Sequence, residues 1–334
     1  MLSAAKLAIF LIAIIPALSF GLHYPAATSG WTRHYRDEPH RTLIGRGGKI
    51  RTRDSLRIDG IVVDDLKFLG KGDFGSVYRG NVQGKTTGGK DMPTEVAIKE
   101  CRGAQHVKSC EKEIRAISEL HERVKDINIP KIFASQHTEE LDRGKLVPVL
   151  RFIMTLGKGG TLADSMETYV KIETNKNRLR ATKELWKTLS KVHGAGWADG
   201  DIKSRNLVFE EEWVDRKEGP PGQILIVDFG MAQSLSDKKA HYEVVRKRDL
   251  VQMAKVSYRM FYGVSLAQTP RERTRLDSSR SIEEIQESFS KSMGGKKMKT
   301  KAVKFFAYVF QEKIPDIGDI LKRLEDLEAD DLEY

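Results

Sequence analysis

"LGKGDFGSVYRG", residues 69–80, places Gly70, Gly72 and Gly75 in G-x-G-x-x-G spacing with Val77 two positions further on. Without side chains at these positions, backbone N–H groups can approach phosphate oxygens, and glycine enters tight-turn geometry at no steric cost. The same spacing introduces dinucleotide sites, but there a helix follows the glycines. Here "IVVDDLKFLG" (61–70) precedes them and "SVYRGNV" (76–82) follows, both strand-like, so the turn joins two strands. That context counts against a βαβ dinucleotide unit. It leaves Gly70, Lys71, Gly72, Asp73, Phe74, Gly75, Ser76 and Val77 as a candidate phosphate cradle.

Outward from this turn, "EVAIKEC" (95–101), "IPKIFASQ" (129–136) and "LVPVLRFIM" (146–154) extend the strand pattern. Between the first two of these lies "SCEKEIRAISELHERV" (109–124), where Ile114, Ile117 and Leu120 recur at helical spacing. After Gly160 the apolar spacing turns helical in "LADSMETYVKIE" (162–173) and in "ATKELWKTLSKVHGAG" (181–196), the second closing on glycines suited to a helix stop. Two short strands follow, "NLVF" (206–209) and "ILIVDFG" (224–230), separated by a polar loop with Pro220 and Pro221. Helical patterns then return at 248–263, 281–293, 300–313 and 316–331. No internal repeat is visible. The expected fold is α+β: a small antiparallel sheet carrying one helix, followed by a mainly helical half.

Four further groups carry chemistry. Lys99 follows Val96, Ala97 and Ile98 on a strand, fourteen residues before Glu113 on the amphipathic helix. Glu111 is the nearest rival to Glu113, but two residues away it points to another side of the helix. "LRFIMTLGKGGTL" (150–162) reads as a strand and turn between the two halves. "DIKSRN" (201–206) spaces Asp201, Lys203 and Asn206, and the apolar run from Ile224 to Val227 delivers Asp228.

Taken in order along the chain, these motifs resemble the protein kinase superfamily over about residues 60–265, and the last 70 residues fit it poorly. The resemblance implies a bilobal fold and a site for ATP. Lys99 would bind the α- and β-phosphates and be held by an ion pair with Glu113. Val77 and Ala97 would belong to the nucleotide site, Met154 would gate the back of the adenine pocket, and Thr155, Leu156 and Gly157 would offer backbone groups to the adenine edge. Asp201 would orient the attacking hydroxyl and accept its proton, and Lys203 would neutralise charge on the transferred phosphoryl. Asn206 and Asp228 would hold magnesium, a hard cation suited to carboxylate and amide oxygens. Lys203, two positions after Asp201, is nearer to serine/threonine than to tyrosine kinases.

Two departures stand out. Asp199 and Gly200 occupy positions where the family has His, packed beneath the loop, and Arg, which contacts an activation-loop phosphate. Loss of that Arg implies activity without a phosphorylated activation loop. If Asp249 of the following helix lies beneath the loop, two carboxylates about 4 Å apart at an effective dielectric near 20 repel by about 4 kcal/mol. Either a cation, with Arg246 and Arg248 as candidates, or a proton is then expected between Asp199 and Asp249. The second departure is length. Asp249 follows Asp228 by only 21 positions, with no Ala-Pro-Glu, a compactness similar to atypical and small-molecule kinases.

Composition sets the remaining bounds. At 334 residues and 40% hydrophobic the chain can bury a large core, and its net charge of +10 is no specific sign of nucleic-acid binding. "MLSAAKLAIFLIAIIPALSFG" carries one Lys6 and then an apolar run to Phe20 broken by Pro16, the pattern of a secretory signal peptide over 1–20 or, if uncleaved, a membrane anchor. Residues 21–55 read as a basic flexible arm, 56–155 as the first lobe and 156–334 as the second, divergent over 264–334. Cys101 and Cys110 are the two cysteines; they are either free thiols or one bridge, which would contribute about 2.5 to 3 kcal/mol. The expected function is ATP- and magnesium-dependent phosphoryl transfer to a protein Ser/Thr hydroxyl in the secretory pathway or outside the cell. A nucleotide-binding scaffold without catalysis, and a kinase for a small hydroxylated molecule, remain open alternatives.

Overall fold

The computed structural model describes residues 55–83, 92–211, 223–237, 239–263, 282–293, 300–311 and 313–332. The expected signal segment (1–20), nearly all of the expected basic arm, and Pro220 and Pro221 lie outside the described residues.

Six strands form one antiparallel sheet: β1 (Ser55–Ile58), β2 (Ile61–Lys71), β3 (Ser76–Gln83), β4 (Glu95–Arg102), β5 (Ile132–Asp142) and β6 (Lys145–Thr155), in the order β1-β2-β3-β4-β6-β5. Strand β1 was not expected, and Ser55, assigned to the arm, is its first residue. It pairs with β2 through a two-residue turn at Asp59 and Gly60, with φ of 48° and 81°. Asp-Gly between apolar runs is the usual sign of such a hairpin.

Strand β4 is buried along nearly its whole length because both of its faces are covered. Val96 and Ile98 pack with Leu56, Ile58, Val63 and Ile153 on one side. Ala97 and Cys101 point to the other, with Leu150 and Phe152 of β6 and the N-terminal half of helix α1 (Ala104–Arg123). A disulfide joins Cys101 to Cys110 of α1, resolving the two cysteine alternatives. The C-terminal half of α1, through Ala116, Ile117 and Leu120, enters the larger core of the helical half.

That half contains α2 (Leu162–Ile172), α3 (Asn175–Gly194), α4 (Lys239–Tyr262), α5 (Ile282–Met293), α6 (Lys301–Val309) and α7 (Ile317–Glu325). Side-chain oxygens of Thr161, Thr174, Thr300 and Asp316 cap α2, α3, α6 and α7 by accepting backbone N–H groups of the first turn. Helix α4 starts nine residues before the apolar run at Arg248. Tyr242, Val245 and Asp249 recur at helical spacing and are all buried, Tyr242 and Val245 packing with Ala198. None of the helices among the described residues is long and apolar enough to cross a membrane.

The divergent C-terminal helices are part of the core. Phe306 of α6 is fully buried, with its ring centroid 5.2 Å from Tyr258 and 5.5 Å from Phe261 of α4. Phe306→Ala should therefore lower stability by about 3 to 5 kcal/mol, read as a shift in the urea midpoint with unchanged slope. A shift below about 0.5 kcal/mol would mean that α6 is not packed on α4.

Candidate active site

Strand register brings the first set of predicted residues together. Val77 pairs with Gly70 on one side and with Lys99 on the other, and Lys99 pairs in turn with Phe152. Ala97 pairs with Met154 two rungs along. Between β2 and β3 the chain turns tightly, with Gly72 N donating to Gly75 O at 2.8 Å. Lys71 ends β2 and Ser76 opens β3, while Asp73 and Phe74 lie in the turn itself. Gly75 has a second, steric reason to lack a side chain, since a Cβ there would collide with the Glu100 carbonyl. Phe74 reaches down to Gly230, where a Cβ would sit 2.6 Å from its ring. Beyond Thr155 and Leu156, Gly157 is packed so closely on Val208 that a Cβ would collide there too.

Lys99 Nζ donates to Glu113 Oε2 at 2.6 Å and to Asp228 Oδ1 at 2.7 Å. Glu113 therefore takes the partner role, whereas Glu111 lies on the surface beside His137. Burial works against the Lys99 charge, but Asp228 and Glu113 outweigh it and hold its pKa above the ordinary value. Asp228 is likewise opposed by burial, yet Lys99 keeps its carboxyl below the usual range. Glu113 goes the other way. Burial pushes it up to about 7, with Lys99 pulling down and Asp228 adding repulsion.

The second group sits on a small ribbon of β-strands, Leu207–Phe209 paired with Ile224–Ile226. Asn206 precedes one strand and Asp228 follows the other, and Val227 N donates to Asn206 O at 2.9 Å. Asp228 adopts φ of 68°, a left-handed conformation unusual for a non-glycine residue and of the kind that persists where surroundings fix it. Asn206 Nδ2 donates to Asp201 O and Oδ2 at 3.0 and 3.1 Å, and Lys203 Nζ lies 2.6 Å from Asp201 Oδ2. With its amide nitrogen committed to Asp201, Asn206 has its amide oxygen free to act as a ligand. That oxygen and the Asp228 carboxylate are a donor set suited to magnesium.

Beneath the loop, Asp249 is fully buried and accepts N–H bonds from Asp199 at 2.8 Å and Gly200 at 2.9 Å. His193 Nε2 lies 3.1 Å from the same carboxylate. Asp199 turns its own carboxyl upward, and Oδ1 accepts the Asp201 N–H at 2.8 Å. The two arginine candidates for a screening cation fail, and the basic side chain beside Asp249 is His193. Arg246 pairs with Glu243 and Asp316, and neither it nor Arg248 is a partner of these carboxylates. Burial, followed by the charge of Asp249, pushes Asp199 well above its ordinary pKa, and its Oδ2 is buried without a hydrogen-bond partner. The direction is thus toward a proton on Asp199. Gly200 has φ of 83°, and a Cβ there would lie 2.9 Å from Met231 O, so no Arg fits this backbone. The role of His193 was not visible in the sequence, where it stood only as the residue before a helix-stopping glycine.

A family model described as protein kinase domain matches residues 63–251, more than half of the chain. No curated protein matches it.

Because Glu113 titrates near neutrality, its charge on Lys99 is fullest above about pH 7 and is lost as the pH falls below it. The pH profile of kcat/KM for ATP, which reports the free protein, should show an acid limb near pH 7. Glu113→Gln should lower the plateau and abolish that limb; an identical limb in this variant would assign it to another group.

Proposed function

The chain belongs to the protein kinase family, and on that premise we propose that it transfers the γ-phosphoryl group of ATP to a Ser or Thr hydroxyl of a protein. The carrying observation is the Asp201 carboxylate, which stays in place beside Lys203 and Asn206 although the two residues supporting the loop differ from the family. In this reading the glycine turn and Lys99 hold the phosphates. Magnesium, held by Asn206 and Asp228, would supply neutralisation of phosphate charge. Asp201 orients the hydroxyl and takes its proton as the new O–P bond forms and the β–γ bridge breaks to release ADP. Lys203 offsets charge on the phosphoryl in transit.

A second reading, a small hydroxylated acceptor, is favoured by one observation. Helix α4 opens at Lys239, only eleven residues after Asp228, which leaves little chain to hold an extended peptide. For location, we propose the secretory pathway or the exterior. The apolar N-terminal run and the Cys101–Cys110 disulfide both favour an oxidising compartment.

With labelled ATP and magnesium, the wild type should label peptide substrates, and Asp201→Ala should reduce the rate by about 10² to 10⁴. Asp228→Ala should be similarly impaired. Labelling that survives both changes, or a wild type that binds nucleotide and transfers nothing, would sink the active-kinase reading in favour of a scaffold. Parallel libraries of peptides and small alcohols decide the acceptor class.

A further inference from the structure

We propose that the Cys101–Cys110 disulfide is a covalent lock that fixes α1 on β4 so that Glu113 meets Lys99, making the two cysteines positioning residues for phosphoryl transfer. This inference rests on the reading of Lys99 and Glu113 as the phosphate-binding pair.

Cys101 lies two residues beyond Lys99 on β4 and so on the same face of the sheet. Cys110 lies three residues before Glu113 on α1, one turn away on the same side of the helix. The bond, with a Cα–Cα separation of 6.6 Å, therefore runs alongside the Lys99–Glu113 ion pair, strand to helix like the pair itself. It also touches the phosphate cradle, because a Cβ at Gly75 would stand 3.2 Å from Cys101 Sγ. One covalent link thus spans β4 and α1 and supports the glycine turn.

Apart from the disulfide, the N-terminal half of α1 is held by Val107, buried against Leu150 and Phe152, and by Gly103 N donating to Pro148 O at 2.8 Å. Its N-cap is Gly103, with no side-chain cap and no acidic residue in the first turn. Just past Glu113, the tie of Arg115 to Asp237 at 2.9 Å is between two exposed side chains and holds weakly. The C-terminal half is secured by Ala116, Ile117 and Leu120 in the large core, while on the other side of Glu113 the disulfide adds a covalent bolt to the packing of Val107. Both sulfurs are fully buried, so the bond is made as the chain folds and stays shut in the folded protein. Its formation takes two electrons and two protons from the thiols, delivered to a small disulfide such as glutathione disulfide, which leaves as two thiols.

The test begins with the intact chain, denatured under alkylating, non-reducing conditions and mapped by mass spectrometry. A cross-linked Cys101–Cys110 peptide is expected, and two alkylated thiols would overturn the proposal. Hydrogen exchange and kinetics then compare wild type with Cys101→Ala/Cys110→Ala and with the volume-refilled Cys101→Val/Cys110→Ala. Amides of residues 104–113 should exchange about tenfold faster in the variants while α4 is unchanged. Values of kcat should fall about tenfold, with KM for ATP shifted less than about threefold. Unaltered exchange over 104–113 and unaltered kcat in a folded double variant would refute the lock. An inactive wild type whose α1 still loosens in the variants would instead count against the kinase reading and leave the lock standing.

Discussion

A buried ammonium group organises this molecule. Lys99 sits between two carboxylates, Glu113 from the helix on the sheet and Asp228 from the ribbon in the other half, and is almost wholly removed from solvent. Desolvating one cation and two anions costs several kcal/mol per ion, which ion pairing recovers only where geometry is close and hydrogen-bonded. Two contacts of 2.6 and 2.7 Å meet that condition, but they leave one negative charge in excess and Glu113 Oε1 without a partner. Burial is the main cause of the rise of Glu113 towards neutrality, and repulsion from Asp228 adds to it. A group arranged in this way is poorly suited to stability alone and well suited to receiving phosphates and a divalent cation.

The same economy of charge appears beneath the catalytic loop. Asp249 satisfies two backbone N–H groups of the loop and His193, while Asp199 spends one oxygen on the Asp201 backbone. Where the family places His and Arg, this chain supports the loop with a carboxyl group pushed toward protonation and a glycine pinned against Met231. Above this support Asp201 stays in contact with Lys203 and Asn206. Gly200 stands where the family has the arginine that reads a phosphate, and the Cys101–Cys110 disulfide lies beside Glu113.

Much of this was legible because the motifs are local. The glycine turn, Lys99, Glu113 and the Asp201–Asn206 spacing each sit on one element whose period or turn chemistry is visible in a few residues. What escaped depended on distant partners or on polar residues hiding a period. Strand β1 was lost in the basic composition ahead of it although Asp59-Gly60 announced its hairpin. The early start of α4 was hidden because "RKR" interrupts the apolar run, while Tyr242, Val245 and Asp249 still keep helical spacing. Arg246 looked like a partner for Asp249 from sequence proximity, but one turn of helix directs it to Glu243 and Asp316 instead. The choice between bridge and thiols at Cys101 and Cys110 required knowing how α1 lies on β4, which no spacing reveals.

The central claim is that Lys99, paired across both halves, forms a site for magnesium nucleotide. Titration calorimetry of the folded chain with ATP, with and without magnesium, tests it most directly against Lys99→Met. Magnesium-dependent binding in the wild type, weakened at least about tenfold in the variant, is the predicted result. Equal affinity of the two proteins for the magnesium nucleotide would contradict the account.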